Sequence, residues 1–141
     1  MKKVLLCMIA LIMLSCSSDD ENIPLQTFIS FNLDGVNYFL TEYQVTLHPL
    51  DENFRMIEAS FDNNSKTIRF FVLLEETNQI DEFIFINNDR YYTSDVNFGD
   101  RETSITTHTD SNMEGTFRVT TDAISDKPVF TFTNGMINIE Y

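Results

Sequence analysis

From Leu25 onward the chain consists of short runs rich in β-branched and aromatic residues, broken by Asp, Asn, Gly and Ser. No run of about twelve residues repeats its apolar positions with a helical period. Without an amphipathic helix to cover a sheet, the apolar side chains are buried only by packing strands on strands. Residues 28–32 and 36–40 flank Asp34-Gly35, a pair suited to the positive φ angles of a tight hairpin. Residues 55–61 and 66–74 are joined by Asp62-Asn63-Asn64-Ser65, again a turn composition. In the first of these Ile57, Ala59 and Phe61 share a face with Arg55, while Glu58 and Ser60 point away. The second is apolar on both sides from Phe70 to Leu74 and is expected to be a central strand buried on both faces.

The pattern continues to the last residue. Residues 82–86 and 90–93 flank Asn87-Asn88-Asp89 as another hairpin, and the threonine-rich stretch 103–109 reads as a strand with a wet face. In 115–120, Phe117 and Val119 alternate with Thr116, Arg118 and Thr120, the signature of a half-buried strand. Residues 129–133, Asn134-Gly135, and the alternating Ile137, Ile139 and Tyr141 predict a final hairpin. The expected fold is an all-β antiparallel sandwich of about eight to ten short strands, with a small β-barrel as the alternative; no repeat of fixed period points to a propeller or solenoid.

The chain has 141 residues and a formal charge of −13. That length suits one domain, here expected over 25–141. A surface this acidic repels phosphate backbones and anionic bilayers, so neither nucleic acid nor a basic-patch membrane contact is expected. Of the two cysteines, Cys7 lies inside an apolar N-terminal run and Cys16 at its end, so neither a disulfide nor a thiolate metal site is expected in the body.

Residues 1–15 have the form of a signal peptide. Lys2 and Lys3 precede an apolar run over 4–14 that is too short to span a bilayer, which takes about 20 residues. Met13-Leu14-Ser15-Cys16 resembles the lipobox of bacterial lipoproteins, in a looser form like that of the Bacteroidota. The resemblance implies cleavage before Cys16, lipidation of Cys16, and attachment to the membrane through acyl chains such as palmitate. Residues 16–24, with Ser17-Ser18-Asp19-Asp20-Glu21-Asn22, read as a solvated acidic tether and resemble the export signal of surface-displayed outer-membrane lipoproteins. Gly115-Thr116-Phe117 and the ending from Phe132 through Thr133-Asn134-Gly135 to Tyr141 are similar to small Bacteroidota lipoproteins of unassigned activity. That likeness covers about a quarter of the chain and implies an all-β domain, with no activity attached.

Signatures of catalysis are absent: there is no H-E-x-x-H, G-x-S-x-G or glycine-rich phosphate loop. His48 and His108 read as surface or hydrogen-bonded histidines, and Glu75-Glu76 and Asp81-Glu82 as the charged rim of a loop. Asp95-Val96-Asn97-Phe98-Gly99-Asp100 lacks calcium-loop spacing and reads as a polar turn. No catalytic residue, metal or cofactor is expected. The candidate binding residues are Tyr91 and Tyr92, because adjacent residues on a strand face opposite ways and one ring is left outside to stack on a sugar or anchor a protein. The expected role is a non-catalytic envelope lipoprotein binding an extracellular glycan or protein; the alternative is an accessory subunit of an outer-membrane complex.

Overall fold

The computed structural model describes residues 26–75, 78–95, 99–122 and 129–141. The signal segment, Cys16 and the acidic tether lie outside the described residues, as do Glu76 and residues 96–98 of the polar turn. The described chain forms ten strands: β1 Phe28–Leu33, β2 Val36–Leu40, β3 Gln44–Leu47, β4 Phe54–Phe61, β5 Lys66–Leu73, β6 Glu82–Asn87, β7 Arg90–Ser94, β8 Asp100–His108, β9 Asn112–Thr120 and β10 Thr131–Glu140. They make two antiparallel five-stranded sheets, ordered β2-β1-β10-β9-β8 and β3-β4-β5-β6-β7. The fold is thus a sandwich, and the sheets do not close into the barrel considered as the alternative.

Three of the expected turns form for the reason the sequence suggests. Asp34 and Gly35, at φ 49° and 92°, and Asn88 and Asp89, at 48° and 65°, take the left-handed pairs that match strand twist in a two-residue hairpin. Asp62, Asn63 and Asn64 are left-handed in succession, which the short polar side chains of Asx residues tolerate. β5 is the central strand of its sheet, with Phe70, Phe71 and Val72 all buried.

One expectation is corrected. Asn134-Gly135 does not close a hairpin; it lies within a single strand, β10, which pairs with β1 on one side and β9 on the other. Asn134 is left-handed at φ 53° and inserts a bulge that shifts both registers. A Cβ on Gly135 would stand 2.5 Å from the Phe117 carbonyl oxygen and 2.6 Å from its ring, so only glycine passes there. The strand that the sequence left unmarked is β3, most of whose side chains are exposed.

Facing side chains of the two sheets fill the core: Phe31, Phe117 and Phe132 from the first, and Phe61, Phe70, Phe83 and Phe85 from the second. Phe83 and Phe132 meet edge to face at 4.9 Å, and Phe85 and Phe132 at 5.2 Å. Each such ring contributes about 1.5–3 kcal/mol by leaving water. On the β7/β8 flank the sheets are stitched together: Asp122 N donates to Thr93 O at 2.8 Å, Arg101 Nη1 to Ser94 O at 2.8 Å, and Ile105 N to Asn78 O at 2.9 Å.

Candidate functional site

The outer face of the second sheet carries the most chemically distinctive hollow. Phe71 on β5 is in register with Glu82 on β6, and both side chains lie on the face away from the core. Because β5 is apolar on its outer side too, something must cover Phe71. The turn after β3 does so, laying the His48 ring edge-on against Phe71 at 5.0 Å. That turn is self-capped: His48 Nδ1 accepts from Asp51 N at 3.0 Å and Leu50 N at 3.3 Å, while His48 N donates to Phe54 O at 2.8 Å.

Between this turn and the start of β6 lies a cavity of about 370 Å³, lined by His48, Asp51, Phe54, Phe71, Asp81, Glu82 and Asp95. Two phenylalanines form its apolar part. Four carboxylates face it, with no lysine or arginine among the described lining residues. Burial pushes the Glu82 carboxyl above the usual glutamate range and the nearby Asp95 charge pushes it further, against opposing pulls from His48 and Arg101. Asp81 Oδ2 is buried with no hydrogen-bond donor among the described residues. Such an acceptor is uncommon in folded proteins. A second hollow, lined by Asp51, Asn53, Phe54, Leu73, Leu74 and Glu75, adjoins it through Asp51 and Phe54. Among the described residues no group of three or more His, Cys, Asp or Glu is arranged to hold a metal ion.

The tyrosine pair divides as strand geometry requires. Tyr91 is 54% exposed on the outer face of the second sheet, whereas Tyr92 is 4% exposed and packs against Phe85 and Phe130 in the core. Tyr92 is therefore a core residue with no ring face to offer a ligand. Tyr91 pairs with Ile86, four residues along β6 from Glu82 or about 13 Å, so it lies outside the cavity. Asp81 and Glu82, read from the sequence as a charged rim, and His48, read as a surface histidine, line the cavity together. The one sequence signal that bears on it is the two-sided apolar character of β5, which requires a cover over Phe71 without saying which segment provides it.

Compared with protein-family models, curated proteins and solved structures, the chain matches none.

Proposed function

We propose that this chain is a lipoprotein of the bacterial envelope, held on the outer membrane by acyl chains on Cys16 and displayed at the cell surface. Its sandwich serves as a non-catalytic binding module for an extracellular glycan. The observation that carries the binding role is the cavity of about 370 Å³, where the half-buried Phe54 offers an apolar surface beside Asp81 and Glu82. A sugar presents both matching chemistries, since its C–H face packs on aromatic carbon and its hydroxyls donate to carboxylates.

Two experiments test the two halves of this reading. For the anchor, cells grown with radiolabelled palmitate incorporate label into the wild type and none into Cys16→Ser; equal labelling would remove the lipoprotein claim. For the module, the full chain is screened on an array of bacterial, plant and host glycans beside the double variant Asp81→Asn/Glu82→Gln. Binding by the wild type that falls at least about tenfold in the variant supports the cavity as the site. Binding that the variant retains moves the site elsewhere.

A second reading, an accessory subunit of an outer-membrane complex, is favoured by the β3 edge, where Leu47 is 52% exposed and Leu50 in the following turn 91%. On that reading Leu50→Lys shifts the chain from a large to a small species in native gels of solubilised membranes.

A further inference from the structure

The outer face of the first sheet holds a second feature, independent of the cavity. Five side chains form one in-register row across all five strands: Phe39 on β2 opposite Ser30 on β1, Ser30 opposite Met136 on β10, Met136 opposite Thr116 on β9, and Thr116 opposite Ser104 on β8. In a chain with 22 acidic residues, this row carries no charge. It runs over four inter-strand spacings, about 19 Å.

The row is the floor of a trough. One hollow of about 280 Å³ includes Ser30, Asn37 and Phe39, a second of about 430 Å³ includes Ser104, Thr116 and Met136, and Asn134 lines both. Asn134 is the bulged residue of β10, and its left-handed backbone sets it on the outer surface between the two hollows. At one end Phe39 stacks on Phe28 with centroids 4.8 Å apart and yet remains 55% exposed, leaving an aromatic shelf open to solvent. At the other end Arg118 is held by Glu102 at 2.7 Å and Asp100 at 3.1 Å, so its charge is already matched within the sheet.

We infer that this trough binds the interior of an extended, uncharged polysaccharide laid across the strands. Its length suits several consecutive sugar units rather than one. The aromatic shelf provides a stacking surface for a sugar ring, while the Ser, Thr and Asn side chains both donate and accept hydrogen bonds, as hydroxyl groups require. The row itself is neutral, and where charge lines the second hollow the Arg118 guanidinium is matched by the Glu102 and Asp100 carboxylates, two acids to one base, which with the −13 chain disfavours an anionic polymer. This inference concerns a different face from the cavity and stands whether or not the cavity binds sugar.

The test is affinity electrophoresis of the full chain in detergent, in native gels cast with a neutral α-glucan, β-glucan, mannan or xylan, and with polygalacturonate as the anionic comparison. The wild type is expected to be retarded by at least one neutral polymer and not by polygalacturonate. Phe39→Ala should weaken that retardation about tenfold through loss of the shelf. Asn134→Gly, which keeps the left-handed backbone accessible, should weaken it about fivefold. Asp89→Asn, in the exposed β6–β7 turn, should leave it unchanged, Glu82→Gln reports any contribution from the cavity, and matching far-UV spectra confirm that the variants fold. Four results would overturn the inference: no retardation in any neutral gel, retardation by polygalacturonate alone, retardation unmoved by Phe39→Ala and Asn134→Gly, or retardation lost only in Glu82→Gln.

Discussion

Arg55 and Tyr141 are joined in two ways at once: Arg55 Nη1 donates to Tyr141 Oη at 2.7 Å, and the guanidinium carbon stands 3.9 Å from the centroid of the same ring. Arg55 comes from β4 of the second sheet, while Tyr141 follows β10 of the first, so the pair ties the layers together at one end of the sandwich. Tyr141 Oη in turn lies within donating distance of the Thr109 and Asn112 carbonyl oxygens, at 3.1 and 3.2 Å, in the β8–β9 hairpin. Tyr141→Phe keeps the ring under the guanidinium and removes these hydrogen bonds. It should cost about 1–2 kcal/mol in urea denaturation, and Tyr141→Ala, which also removes the ring, should cost more.

The same node fixes the state of His108. Arg55 only donates, so the 3.1 Å contact between its Nη1 and His108 Nε2 makes that ring nitrogen the acceptor and puts the proton of the neutral ring on Nδ1, which is buried without a protein partner. Burial, and then the Arg55 charge, lower the His108 pKa, against a weaker opposing pull from Asp110. A depressed histidine pKa means that the unfolded chain takes the proton first. Stability from this residue is therefore present above the ordinary histidine pKa and is lost as pH falls through the lower folded value. The urea midpoint should drop more between about pH 7 and pH 5 in the wild type than in His108→Gln. An equal drop would show that the node does not hold the ring neutral.

At the β10 bulge, Gly135→Ala places a methyl group against a backbone carbonyl that the sheet ladder holds in place. The expected loss is about 2 kcal/mol or more, measured by thermal denaturation, while Asn134→Gly should change stability by less than about 1 kcal/mol.

The bulge also marks where local sequence ceases to specify structure. Asp34-Gly35 and Asn134-Gly135 offer the same left-handed opportunity; the first closes a hairpin and the second kinks a continuous strand. The difference lies in partners far along the chain: β1 and β9 flank β10 on both sides, and neither is visible from the dipeptide. β3 went unmarked because Gln44, Thr46 and Leu47 are exposed and only Val45 packs toward the core, too little alternation to register as a strand. The inside of the sandwich was legible, since Ile57, Ala59 and Phe61 on β4, and Phe117 and Val119 on β9, are buried as their alternation requires. The cavity was not, because His48, Phe71, Glu82 and Asp95 come from separate segments and converge only once the second sheet is assembled.

Glu82 provides a prediction in which stability and binding move in opposite directions. Its carboxyl titrates above the ordinary range because of burial and the Asp95 charge, so its favourable contribution is present at low pH and is lost as pH rises through the folded pKa. Glu82→Gln should therefore gain stability relative to the wild type on going from about pH 4 to pH 7, as seen by calorimetry at each pH, even as it loses ligand affinity. A carboxylate kept where it costs stability is a common mark of a functional site. A variant less stable than the wild type at neutral pH, with no relative gain between the two values, would contradict this account of Glu82.

The central claim, that the cavity on the outer face of the second sheet takes a glycan, is tested most directly by titrating the isotope-labelled full chain with the best array ligand and following backbone amide shifts by NMR. The predicted result is a set of saturable shifts concentrated at His48, Asp51, Phe54, Phe71, Asp81 and Glu82. The contradicting result is saturable binding whose shifts leave those amides unmoved.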